Sequence, residues 1–150
     1  MSQDLFTKNE IEINAAVSKV WDILVNPEKT QLYMFGCKTV STWEVGSPLT
    51  WEMIYEGKKI TAVKGEIIKI QPEKYLAYTT IDPNSNVPDN PDNYLIVTYN
   101  LSELNGITNL EITQGDYSKV ADGKKRYEET IEAGGWNSIL IQIKNLAESL

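Results

Sequence analysis

Hydrophobic positions change their period three times along this chain, and each change marks a change of secondary structure. Residues Phe6 to Ile13 alternate as a first strand anchored by Phe6, Ile11 and Ile13. Val17, Val20, Trp21, Leu24 and Val25 then recur at three and four residues, a short helical stripe that Asn26-Pro27 closes. Glu28 to Phe35, with Leu32, Tyr33, Met34 and Phe35 ahead of Gly36, reads as a second short helix or turn. From Thr39 to Gln114 the period falls to two. Leu49, Trp51, Met53 and Tyr55 share one strand face, while Thr50, Glu52 and Glu56 take the other, with Ile54 as an apolar exception there. Glu56-Gly57-Lys58-Lys59 signals a hairpin. Ile60 to Ile70 forms a long strand whose parity changes between Val63/Gly65/Ile67 and Ile68/Ile70, which predicts a bulge near Gly65. Pro72 stops it. Tyr75–Ile81, Tyr94–Leu101 and Ile107–Gln114 complete the strands, the last two joined by a tight turn at Asn105-Gly106.

The helical period returns in the last third, as one long amphipathic helix from roughly Asp122 to Leu150, interrupted by Gly134-Gly135 and followed at once by Trp136. A lone long helix after a run of strands must bury its apolar stripe on the sheet they form. Two helix-interior glycines cost about 2 kcal/mol against alanine. They call for a reason, such as close packing or space for a guest.

A chain of 150 residues fits one domain, 1–150. The stretch Asp82 to Asn93, rich in proline and Asx residues, is a loop rather than a linker. Asp82, Asn84 and Asn86 copy the first, third and fifth positions of a calcium loop, but Val87 stands where its turn needs glycine and Asn93 where it needs a bidentate glutamate. A net charge of -7 disfavours nucleic acid and anionic membrane as partners, and the short run Lys124-Lys125-Arg126 does not reverse that. With no histidine and a single cysteine, His-based triads, His-bearing zinc sites and thiolate clusters are excluded, so no metal or cofactor is expected. Lone Cys37, the missing signal-peptide pattern and the lack of a long apolar run give the expectation of a cytoplasmic protein.

Strand parity points Glu52 and Glu111 to solvent. Glu66, beside the suspected bulge, keeps a route to the interior, where burial would fit it for proton transfer. The aromatic group Trp51, Tyr55, Tyr78, Tyr99 and Trp136 reads either as plain core or as a cavity wall whose polar tips orient a ligand. Gln114, in register with Leu110 and Ile112, adds a polar group to the inner face.

Taken in order, Ala16-Val17-Ser18-Lys19-Val20-Trp21-Asp22, Gly65-Glu66-Ile67-Ile68, Pro72-Glu73-Lys74-Tyr75-Leu76, Val97-Thr98-Tyr99-Asn100-Leu101, Gly106-Ile107-Thr108-Asn109-Leu110 and Gly134-Gly135-Trp136 carry a resemblance over nearly the whole chain. It resembles the family named for the activator of the ninety-kilodalton heat-shock chaperone ATPase, within the START and birch-pollen-allergen-like (SRPBCC) superfamily. The resemblance implies an α+β helix-grip fold: a curved antiparallel sheet of about six or seven strands wrapped around a long C-terminal helix, two short helices closing one end, and a cavity for an apolar ligand. That scaffold serves carriers, cyclases and chaperone activators alike. The first expectation is binding of a small, mostly apolar molecule, with Trp51, Met53, Tyr55, Tyr78, Tyr99, Ile112 and Ile139 as wall, Gln114 as polar anchor and Phe35 near the mouth. The alternatives are a cyclase or dehydratase using Glu66 and Tyr78 for proton transfer, and a partner protein that stimulates a chaperone or dimerises through a strand edge.

Overall fold

A computed structural model describes residues 4–149. Strand β1 (Thr7–Ile13) is followed by two short helices, α1 (Val17–Val25) and α2 (Pro27–Tyr33). The boundary between them is chemical: the Asn26 side chain accepts from the Glu28 N–H, and Pro27 occupies the first helical position, where no N–H is needed. Helix α1 buries Val20, Ile23 and Leu24, and the Tyr33 hydroxyl donates to the Leu24 carbonyl at 2.9 Å, fastening α2 to α1.

Strands β2 (Lys38–Val40), β3 (Pro48–Tyr55), β4 (Lys58–Gln71), β5 (Tyr75–Thr80), β6 (Leu95–Leu104) and β7 (Ile107–Gly115) complete one antiparallel sheet in the order β1-β7-β6-β5-β4-β3-β2. The three-residue β2 escapes the sequence pattern, being too short to show a period. Curvature originates in β4. Its first half pairs with β3 and its second with β5, with register shifts opposite Trp51/Glu52 and between Ile67 and Lys69. The second shift leaves Ile68 as the extra residue, three positions beyond the predicted Gly65. Gly65 instead permits a close approach: a Cβ there would lie 1.6 Å from the Thr79 carbonyl oxygen.

Beyond β7, a 3₁₀ turn at Tyr117–Lys119 leads to α3 (Gly123–Glu132) and α4 (Asn137–Glu148). The expected single helix is thus two, and Leu150 lies outside the described residues. Gly134 and Gly135 have φ of +93° and +60°, so they end one helix and re-aim the chain instead of sitting inside a continuous one. Asn9 of β1 locks the break. Its Nδ2 donates to the Gly134 carbonyl at 3.2 Å, and its Oδ1 accepts from the Trp136 N–H at 3.1 Å. Helix α4 packs on β1 and α1 through Leu140, Ile143 and Ala147, joining the concave-face residues Leu76, Val97, Leu110 and Ile112 in one core. Leu95, Tyr117 and Val120, with Leu5 and Tyr127, form a second, smaller cluster under α3.

Candidate ligand cavity

Sheet and helices do not fill the space between them. A cavity of about 430 Å³ remains, within the range of small-molecule pockets. Its sheet side comprises Trp51 of β3, Ala62 and Val63 of β4, Tyr78 and Thr80 of β5, Val97 of β6 and Gln114 of β7. Tyr117, Thr130, Gly135, Trp136 and Ile139 close it from the C-terminal segment, and Met34, Phe35 and Cys37 form the rim after α2. None of these residues is Lys, Arg, Asp or Glu.

Of the nine residues expected at the site, Phe35, Trp51, Tyr78, Gln114 and Ile139 line this cavity. Phe35, 74% exposed, stands at the rim. Tyr99 and Ile112 lie behind the wall, each fully buried in the core. Met53 is half-buried against the core, away from the void, and Tyr55 is 57% exposed near the hairpin tip. The register shift beside Trp51/Glu52 increases twist there, so the alternation that buries Leu49 and Trp51 does not carry Tyr55 inward.

A train of edge-to-face aromatic contacts stiffens the wall. Tyr78 meets Tyr99 at 5.5 Å between ring centroids, Tyr99 meets Trp136 at 6.1 Å, and Tyr33 meets Trp51 at 6.5 Å. The Tyr78 and Tyr99 hydroxyls share a hydrogen bond of 2.7 Å. Burial pushes both phenols up from their ordinary values, and Tyr33 with them, so all three are neutral at physiological pH. Burial likewise raises the Cys37 thiol. The Trp136 indole N–H donates to Gln114 Oε1 at 2.8 Å, tying α4 to β7 at the cavity edge.

Glu66 is exposed on the convex side, so the proton-transfer role offered to it is corrected: its carboxylate does not reach the cavity. Glu52 and Glu111 are half-buried on that same side and pair with Lys59 at 2.8 Å and Lys8 at 3.5 Å. The loop 82–93 is pinned there too. Lys64 pairs with Asp89 at 2.5 Å, the Tyr94 hydroxyl donates to Asp89 at 2.6 Å, and the Asn84 amide donates to the Thr61 carbonyl. It therefore covers β4 and not the cavity. Among the described residues no group of three or more His, Cys, Asp or Glu gathers as a metal site, and no helix is long and apolar enough to cross a membrane.

Residues the pattern did not single out have separate causes. Thr80 shares the inward parity of Tyr78 and was open to the same logic. Ala62 and Val63 are hidden by the irregular pairing of β4. Tyr117 and Thr130 arrive from a turn and a polar helix, where no periodicity points at a pocket.

A curved antiparallel sheet closed by two short helices on one side and a C-terminal helix on the other, with a hollow between them, defines the helix-grip class. Residues 14–148 match the family described as "Activator of Hsp90 ATPase homolog 1-like protein", and the chain belongs to that family. Among solved structures it is similar to ChR145 from Cytophaga hutchinsonii, at 34% identity over 99% of this chain and 97% of that one, with a TM-score of 0.76. Protein NE0264 from Nitrosomonas europaea shares the fold at 20% identity, over 99% and 97% of the two chains, with a TM-score of 0.76. The Aha1 dimer from Colwellia psychrerythraea shares it at 14% identity, over 95% and 96%, with a TM-score of 0.69. No curated protein matches the chain.

Proposed function

We propose that this protein binds a small, mostly apolar molecule in the cavity between the sheet and its C-terminal helices. The observation that carries the reading is the cavity itself: about 430 Å³, bounded by aromatic and aliphatic side chains, without a charged one on its wall. Burial of the guest's apolar surface drives binding at about 25 cal/mol per Å², before the costs of association are subtracted. Filling the void tests it. Ala62→Phe places a ring inside the cavity and should abolish uptake of a neutral apolar fluorophore, while thermal unfolding stays cooperative. Trp51→Ala, which removes an indole from the wall, should weaken uptake several-fold. Native-like uptake in both variants would refute this site.

Self-association is the second reading. One member of the fold is described as a dimer. Here β2 offers a short edge strand, with Val40, Ile54 and Tyr55 exposed on it and on β3. Sedimentation at two concentrations decides it: one monomeric species at both removes this reading and leaves the first intact.

A further inference from the structure

Two polar groups of the cavity wall, on Gln114 and Tyr117, lie at one end, while the Tyr78 and Thr80 hydroxyls and the Trp51 indole N–H are spread along the rest. Strand register sets Gln114 opposite Val97, and Val97 opposite Tyr78. Further along the same face the wall continues through β4 to Trp51 on β3, with Cys37 beside the edge strand. Four inter-strand steps of about 4.8 Å separate β7 from β3. Gln114 and Tyr117 hold the first end, Met34, Trp51 and Cys37 the other.

An indole N–H can only donate, so the atom of Gln114 that meets Trp136 is its carbonyl oxygen. That fixes the amide and leaves the Nε2 hydrogens without a partner among the described residues. Tyr117 is 4% exposed, and its hydroxyl has no partner among them either. No fully enclosed side-chain nitrogen or oxygen lacks a hydrogen bond among the described residues, so both groups keep an open face. Both residues line the cavity and also the groove that adjoins it. Arg126 stands beyond this end, in that groove, which shares Gln114, Tyr117 and Thr130 as its wall, and donates to the Ala121 carbonyl at 3.1 Å.

We propose that the guest carries a neutral, carbonyl-type oxygen at one end, held by the Gln114 amide N–H and the Tyr117 hydroxyl, with its remainder running along the wall toward Trp51 and Cys37. This rests on the ligand-binding reading and adds class and orientation to it. A pure hydrocarbon would strip water from two donors and give nothing back, whereas a carboxylate would bring a charge onto a wall that carries no cation.

Three molecules on one ring frame test the assignment: fluorene, 9-fluorenone and fluorene-9-carboxylate, measured by equilibrium dialysis against the intact protein. The expected order puts fluorenone about ten-fold tighter than fluorene, as one or two net hydrogen bonds allow, with the carboxylate weakest. Tyr117→Phe should cut the ketone preference at least three-fold without weakening fluorene binding, and adding Gln114→Met should bring the ratio to about one. The carbonyl stretch of bound fluorenone should lose its hydrogen-bonded shift in the same steps. Thermal unfolding establishes that each variant is folded. Equal binding of ketone and hydrocarbon, or a ketone preference and stretch unmoved by Tyr117→Phe, would overturn the orientation while leaving the cavity reading in place. Tightest binding by the carboxylate would overturn the neutral class. Failure of both neutral compounds to bind the native protein would overturn the ligand-binding reading, and this proposal with it.

Discussion

At the scale of single residues, the join between the last two helices is where backbone and side-chain chemistry meet most closely. Gly135 has a left-handed φ, and a Cβ on it would come within 2.5 Å of Asn9 Oδ1; Gly134 is also left-handed, but its nearest neighbour would be 4.0 Å away. Gly134→Ala should therefore cost only the dihedral penalty, about 1–2 kcal/mol. Gly135→Ala should cost more, because it also dislodges the amide that bonds both sides of the break. Urea unfolding of the two variants measures the difference, and equal losses would show that Asn9 is not a clamp. The glycine pair is conspicuous in the sequence, but its cause is not: backbone dihedrals leave no trace in a hydropathy pattern. Asn9 was illegible for a related reason, since a polar residue on an alternating strand reads as solvent-facing. Gln114 was legible because it breaks an apolar parity shared with Leu110 and Ile112.

Among the elements, α3 and α4 differ sharply in how they are held. Only Gly123 is buried in α3, and its Ile131 is 51% exposed; α4 buries Leu140, Ile143 and Ala147. Amide hydrogens of Gly123–Glu132 should exchange orders of magnitude faster than those in the middle of α4, because local opening of α3 exposes little apolar surface. Comparable protection in both, read by hydrogen exchange, would show that α3 opens only with the whole molecule. Long elements were readable from the sequence because period and punctuation agree. The Asn26-Pro27 boundary and the Asn105-Gly106 turn fall where capping and turn chemistry put them. The α3/α4 division was only half readable: Gly134-Gly135 shows an interruption, but whether a glycine pair sits inside one helix or ends it depends on dihedrals that the pattern does not carry. Exact bulge position was equally hidden, since a parity change locates an extra residue only to within a few positions.

For the molecule as a whole, titration behaviour follows from what it contains and what it lacks. Without histidine, no side chain has its ordinary pKa between pH 5 and 8, so stability should be nearly flat from about pH 6 to 8. On the acid side, Asp116 is held at about 2 by hydrogen bonds from the Ser118 hydroxyl and N–H and from the Leu5 N–H. Asp89 is lowered by Lys64 and Tyr94, Glu52 by Lys59 and Thr50, and Glu148 by Lys144 and the Asn14 N–H. Lowered folded-state values mean a contribution fully present above the unfolded pKa of about 4 that fades as pH falls toward 2. On the alkaline side, Tyr33, Tyr78 and Tyr99 are raised, so their contribution is complete below about pH 10 and disappears as pH climbs beyond it. Denaturation midpoints measured from pH 2 to 11 should trace that plateau with two falling flanks, and a step near pH 6.5 would contradict it. The same architecture bears on how the chain is made. β1 pairs with β7 across more than a hundred residues, Thr7 facing Gln114, and α4 is synthesised after the whole sheet. A ribosome-bound chain that has emerged only as far as Gly115 thus displays its concave apolar surface to the cell. Until the final turns of helix follow, chaperones or premature association compete for that surface.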